Sequence, residues 1–284
     1  MRLEDKVSII TGGGSGMGRT AALMFAAEGA RVVVADYADA AGAETVRLVQ
    51  DAGGEATFIR TDISCEPDAR AMVDHAVATY GRVDTLYNNA GIMPEEDHSV
   101  IDTPVDAWDR VMAVNVRGVY LGCKYAIPQM LEQGAGSIIN VASFVAILGC
   151  SVPQDAYTSS KGAVLALTRS LAVQFAGRGV RSNSISPGPV ETPLLMEWLL
   201  KDEAKTAPAR AQPHRPVRQA GGGRRGGDLP GIGRVALDER RQLRDRRRHQ
   251  RQLLLTRGRR RHAGTAAARG DGGYRPIAMT IGLK

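Results

Sequence analysis

Between Lys6 and Ser186 the chain alternates short β-branched runs with helix-length amphipathic stretches, and this alternation limits the fold more than any other feature. Strands are predicted over Lys6–Thr11, Arg31–Ala35, Ala56–Arg60, Val83–Tyr87, Ser137–Ala142 and Val180–Ser186. Helices are predicted over Gly16–Glu28, Ala38–Asp51, Glu66–Tyr80, Val105–Glu132 and Asp155–Ala176, with Pro67 in a first turn that tolerates it and Pro128 expected to kink or end the long fourth helix. Strands separated by helices of this length must run parallel, because only a crossover returns the chain to the same end of the sheet. Right-handed crossovers then give an α/β fold with one doubly wound sheet covered by helices on both faces.

The first joint is Thr11-Gly12-Gly13-Gly14-Ser15-Gly16-Met17-Gly18. Glycines between a strand and a helix allow a tight turn and let a pyrophosphate approach the backbone at the helix N-terminus, where free N–H groups and the dipole favour an anion. Asp36 closes the second strand, 18 residues past Gly18. A carboxylate there accepts hydrogen bonds from a ribose 2′-hydroxyl and repels a 2′-phosphate, which favours NAD over NADP. Arg19 is a counter-signal, since a cation can hold that phosphate.

The G-x-x-x-G-x-G spacing, together with Asn88-Asn89-Ala90-Gly91 after the fourth strand, resembles the short-chain dehydrogenase/reductase family over residues 1 to about 200. Tyr157-x-x-x-Lys161 adds to the likeness: the two side chains share a helix face, 14 residues beyond Ser143 at the end of strand five. The resemblance implies a Rossmann fold and a metal-free hydride transfer between a nicotinamide and a secondary alcohol or ketone. It implies that Tyr157 is the general acid/base, that Ser143 donates to the substrate oxygen, and that Lys161 lowers the Tyr157 pKa and holds the nicotinamide ribose. Asn115, in Val114-Asn115-Val116-Arg117-Gly118, matches the Asn that holds a water for a proton relay. Gly12, Ser15, Gly16, Met17 and Gly18 would cradle the cofactor, with Asp62 and Ile63 at its adenine and Asn89, Ala90 and Gly91 beside it. Pro187, Gly188 and Val190 would lie over the nicotinamide, and Thr192 would bond its carboxamide. The resemblance also implies a homo-oligomer (tetramer or dimer), although the family's final helix and strand are not visible in the sequence.

Val145, Ile147, Leu148, Val152, Leu194, Leu195, Met196 and Trp198 make an apolar wall, which favours a small hydrophobic alcohol or ketone. His75, His98, His214, His249 and His262 show no ligand spacing, and Cys65, Cys123 and Cys150 form no disulfide or zinc pattern; no metal is expected. With no signal peptide and no run of the ~20 apolar residues that a membrane helix needs, the expectation is a cytoplasmic protein without a membrane partner.

Composition divides the chain. Residues 1–206 hold 17 Lys/Arg against 25 Asp/Glu, whereas residues 207–284 hold 20 against 5, with Lys284 the tail's one lysine and Tyr274 its one aromatic. The net charge of +7 therefore belongs to the tail. The domain reading is a catalytic and dinucleotide-binding unit over 1–206 and an atypical, poorly ordered Arg/Gly-rich tail, in which Val235–Leu255 can form a basic helix. Restarted at the second base, the codons of Val217–Val235 permit FGKPEEVAAAVIYLASDES and those of Asp238–His249 permit TNGANFVIDGGI. These resemble the missing last helix and strand of the family, so the tail reads as out of frame after one inserted or two deleted bases between about Leu200 and His214. A real basic appendage that binds nucleic acid through phosphates is the rival reading, weakened by the lack of aromatic stacking partners. On that rival, or without turnover, the chain is a non-catalytic nucleotide-binding or nucleic-acid-binding protein. The frame reading predicts that an in-register version melts at a higher temperature than this chain, having recovered a covering helix and a sheet edge. Equal thermal melts, or an intact reading frame on resequencing, would refute it.

Overall fold

The computed structural model describes residues 1–148, 150, 152–188 and 190. The strands are β1 (Val7–Thr11), β2 (Arg31–Asp36), β3 (Glu55–Arg60), β4 (Thr85–Asn88), β5 (Gly136–Val141) and β6 (Val180–Ile185). They form one six-stranded sheet in the order β3-β2-β1-β4-β5-β6. Every neighbouring pair is parallel. The helices are α1 (Gly16–Ala27), α2 (Asp39–Asp51), α3 (Glu66–Tyr80), α4 (Val105–Met112), α5 (Gly118–Glu132), α6 (Val145–Leu148) and α7 (Asp155–Phe175). The doubly wound sheet is therefore as expected. The altered last helix and strand, the tail and the boundary near residue 206 lie outside the described residues.

Strand alternation divides the core into two layers. Ile9 and Val33 face a cluster with Met72, Leu121, Met130 and Leu171. Ile10, Val32 and Val34 face Ala21, Ala22 and Val49 on the opposite side. Both faces of the central strands are thus dry, as a parallel sheet requires.

Three local expectations change. The fourth strand begins at Thr85, not Val83. Ahead of it, Val83 N–H donates to Gln133 Oε1 (2.9 Å), and the Asp84 carboxylate accepts from Val7 N–H (3.0 Å) and Arg82 (2.7 Å). Pro128 marks no boundary, since α5 runs through it to Glu132. Pro128 and Lys124, whose carbonyl loses its partner, both lie on the exposed face. The long helix instead departs from α geometry at Ala113–Arg117, a π turn that carries Asn115. Finally, α6 is a single turn that sequence periodicity does not show.

Leu86 is fully buried in the middle strand β4. Leu86→Ala is expected to lower the unfolding free energy by about 2–5 kcal/mol in urea titrations, and a loss near zero would contradict this packing.

Candidate active site

Parallel strands discharge all their carboxyl ends at one edge, and the predicted site residues gather there. Thr11 ends β1, Asp36 ends β2, Asn88 ends β4 and Val141 ends β5, two residues before Ser143.

The glycine turn is set by steric necessity at two positions. Gly12 has φ +63°, and a Cβ on Gly18 would lie 2.0 Å from the Gly12 carbonyl oxygen. Any side chain at Gly18 would push α1 off the turn. Ser15 gives α1 no side-chain cap, and the first turn contains no acid, so nothing there opposes an anion. Asn89 ties the turn to the loop after β4: its Nδ2 donates to the carbonyls of Thr11 (3.1 Å) and Gly12 (3.2 Å). Thr11 Oγ1 accepts in return from Asn89 N–H (3.0 Å) and Ala90 N–H (3.1 Å). Asp36 is buried, and its oxygens accept from Gly14 N–H (2.8 Å) and Ala38 N–H (3.0 Å), which leaves a lone pair on each for a ribose. Arg19 is engaged elsewhere, with Thr45 Oγ1 (2.9 Å) and the carbonyls of Gly14 and Ala41. These features fit a dinucleotide: a close backbone approach, an uncapped helix end and an aimed carboxylate.

Asp62 is exposed and holds the turn before α3, accepting from Ser64 N–H (2.9 Å) and Ser64 Oγ (2.7 Å). Ile63 is buried against Gly118, where an added Cβ would meet its Cγ2 at 2.8 Å, so its side chain belongs to the core. Pro187 sits beside β5, its carbonyl accepting from Phe144 N–H (3.1 Å). Gly188 and Val190 are exposed, and Thr192 lies outside the described residues. Of the apolar wall, Val145 is buried while Ile147 and Leu148 are 61% and 78% exposed. Val152 is half-buried, and Leu194, Leu195, Met196 and Trp198 lie outside the described residues.

Ser143, Tyr157 and Lys161 converge. Burial pushes the Tyr157 phenol above its ordinary value, and the neighbouring Ser143 hydroxyl is the one group that draws it back down. The lowering by Lys161 that the resemblance implies does not figure at this geometry. Lys161 Nζ lies 5.4 Å from the centre of the Tyr157 ring and donates to the Val141 carbonyl (2.9 Å). Burial brings Lys161 down to about 8. Gly91 makes room for this group, since a Cβ there would lie 3.3 Å from both Lys161 Nζ and Asn115 Oδ1. Asn115 is fully buried. Its Oδ1 accepts from Ile92 N–H (2.8 Å), and its Nδ2 donates to the Ile92 carbonyl (2.9 Å) and Ser160 Oγ (3.0 Å). Both donors and one lone pair are used, so a water here would take the last Oδ1 lone pair or a backbone carbonyl of the π turn.

Sequence reading missed three supports. Asp97, 2% exposed, accepts from Ala156 N–H (2.9 Å) and Tyr157 N–H (2.7 Å), and so caps α7 from a distant loop. Such a cap is worth ~1 kcal/mol. Ser160 Oγ donates to the Tyr157 carbonyl (2.7 Å). Asn88 Nδ2 donates to Asn140 Oδ1 (2.8 Å), and Asn140 Nδ2 donates to Thr168 Oγ1 (2.9 Å), which links β4, β5 and α7. The one sequence signal for Asp97 is the lack of a capping residue at Gln154, just ahead of α7.

Residues 6–203 match the family model described as short chain dehydrogenase. The 2-(R)-hydroxypropyl-CoM dehydrogenase of Xanthobacter autotrophicus is 44% identical over 198 residues, covering 69% of this chain and 78% of that protein. The cyclohexanol dehydrogenase of an Acinetobacter strain is 34% identical over 207 residues, covering 73% of this chain and 82% of its own. The crystal structure of levodione reductase superposes with a TM-score of 0.68 at 33% identity, over 73% of this chain and 79% of that one. With the glycine turn, the Asn88–Gly91 loop and the Ser143–Tyr157–Lys161 cluster at one sheet edge, the chain belongs to the short-chain dehydrogenase family of nicotinamide-dependent oxidoreductases.

Proposed function

We propose that the protein interconverts an apolar secondary alcohol and its ketone with NAD, with Tyr157 as general acid/base. The observation that carries this reading is the placing of Lys161 Nζ 5.4 Å from the centre of the Tyr157 ring, with Ser143 and Lys161 both buried at the same sheet edge. The nicotinamide, when bound, exchanges a hydride with the carbinol carbon. The chain's residues handle the proton. In alcohol oxidation the Tyr157 phenolate takes the proton from the substrate hydroxyl as the carbon loses its hydride; in ketone reduction the phenol returns it. Ser143 holds the same oxygen by donating to it. The Lys161 ammonium stabilises the phenolate and offers donors to a ribose. Gly12, Ser15, Gly16, Met17 and Gly18 would hold the pyrophosphate, with Asp62 and Ile63 near the adenine and Asn89, Ala90 and Gly91 along the crevice. Pro187, Gly188, Val190 and Thr192 would close over the nicotinamide.

NAD rather than NADP is supported by the Asp36 carboxylate, held in place by Gly14 and Ala38, and by an Arg19 already bonded to three protein acceptors. An apolar substrate is supported by Ile147 and Leu148, exposed just after Ser143. Relatives named for cyclohexanol and 2-(R)-hydroxypropyl-CoM support an alcohol. Three free cysteines suit the cytoplasm, and no helix among the described residues is long and apolar enough to cross a membrane. A tetramer or dimer is the assembly that the family implies. The out-of-frame origin of the tail is supported by the end of the family match at residue 203 of a 284-residue chain.

A panel of secondary alcohols with NAD and NADP, followed by absorbance of the reduced nicotinamide, tests the reading. Turnover is expected with NAD and an apolar alcohol, and Tyr157→Phe is expected to lose it by at least ~100-fold while still binding NADH. Unchanged turnover in Tyr157→Phe would refute the assignment.

Burial of Lys161 also has a pH signature. Below pH 8 both folded and unfolded chains hold the proton, and the cost of burying the ammonium is present in full. Between about 8 and the ordinary 10.5 the folded chain releases it first, so this cost fades as pH rises. Melting curves are therefore expected to show the native chain gaining on Lys161→Met over that window; a constant difference would contradict the burial.

A further inference from the structure

We propose that Asp97 is a positioning residue for Tyr157: its carboxylate, seated on the first turn of α7, sets where the phenol stands against Ser143 and Lys161. The inference rests on the reading of Tyr157 as the acid/base.

α7 begins at Asp155, and Gln154 supplies no side-chain cap. The cap comes instead from the loop between β4 and α4, sixty residues from Tyr157. Asp97 Oδ1 accepts from Ala156 N–H (2.9 Å) and Oδ2 from Tyr157 N–H (2.7 Å). Asp155 N–H donates to the His98 carbonyl next to it (3.0 Å). Two bonds from one carboxylate to successive N–H groups resist both a slide of the helix along its axis and a rotation about it.

The far side of the Tyr157 peptide is gripped as well. Its carbonyl accepts from Ser160 Oγ (2.7 Å), and Ser160 Oγ accepts from Asn115 Nδ2 (3.0 Å). The Asn115 carboxamide binds Ile92 N–H (2.8 Å) and the Ile92 carbonyl (2.9 Å). Ile92 lies five residues before Asp97 in the same loop. The circuit therefore closes: Ile92, Asn115, Ser160, Tyr157, Asp97 and back along the chain to Ile92. Asp97, Asn115 and Ser160 are all buried, so these bonds do not compete with bulk water. A cap that only stabilised α7 could sit at Gln154. Placed in the loop, it ties the height of Tyr157 to a second element that reaches the same edge of the sheet.

The full chain carries the test. Asp97→Ala, Asp97→Asn, Ser160→Ala and the control Ala166→Gly, at an exposed position of α7, are compared by amide hydrogen exchange and steady-state kinetics. Asp97→Ala is expected to speed exchange at Ala156 and Tyr157 and to lower kcat by about a hundredfold, with the KM for alcohol within about threefold. Asp97→Asn keeps an acceptor oxygen and is expected to recover part of kcat. Ser160→Ala is expected to lower kcat to a smaller degree. Ala166→Gly is expected to lower the melting temperature with kcat unchanged. Unaltered exchange at Ala156 and Tyr157, or a kcat loss in Ala166→Gly equal to that in Asp97→Ala, would overturn the proposal. If Asp97→Ala does not fold, Asp97→Asn and Ser160→Ala decide by the same readouts. Exchange needs no turnover, so a parent chain without dehydrogenase activity defeats the function reading while the clamp is still decided by exchange.

Discussion

In a parallel sheet every strand leaves through the same edge, and the crevice exists because of that geometric fact. On the proposed reading each βα joint of this chain then has a different task at a shared location. The first must bring backbone close to a ligand, which Gly12 and Gly18 permit by leaving no side chain between turn and helix. The second must present a carboxylate, and Asp36 is fixed by two N–H groups before any ligand arrives. The fifth must present a hydroxyl, and Ser143 follows β5 directly. Two dry core layers hold the strands in register, so the spacing between these joints is a property of the sheet and not of the loops.

A proton-transfer site in such an edge faces a conflict. Excluding water strengthens the interactions that steer the proton, but it also destabilises each charge involved. Both effects are present here: burial holds the Tyr157 phenol up and brings Lys161 down to about 8. The chain offsets the cost with fixed partners. Lys161 has the Val141 carbonyl, and the Ser143 hydroxyl draws the Tyr157 phenol back down. The Tyr157 peptide is held at both ends by Asp97 and Ser160. Burying polar groups of this kind costs free energy unless their bonds are made.

What could be read from sequence follows from how far apart the partners are. The glycine turn, Asp36 and the Tyr157–Lys161 pair are local patterns, and period and spacing reveal them. Asp97 is different. In Pro94-Glu95-Glu96-Asp97 it looks like one more solvated acid, and only the fold brings it to a helix sixty residues away. Asn115 stands out in sequence by its context, but its π turn does not, because the irregularity moved from the obvious breaker, Pro128, to a stretch with no helix-breaking residue. Pro128 is accommodated on an exposed face, where water can take the freed carbonyl. Tertiary context overrides propensity in both cases.

Positioning and selection make unequal demands on a structure. Proton transfer depends on distances of tenths of an ångström, so its residues stand on elements joined by buried hydrogen bonds: β5, the π turn and α7. Selecting an apolar substrate depends mainly on area removed from water, which tolerates looser construction. The described residues after β5 divide in this way. Ser143 and Val145 are buried and fixed, and two to three residues further on Ile147 and Leu148 stand exposed on the single turn of α6. A change at Ile147 or Leu148 alters exposed apolar area without touching the Ile92–Asn115–Ser160–Tyr157–Asp97 circuit, so on the proposed reading one proton-handling frame can serve different alcohols through substitutions confined to that rim.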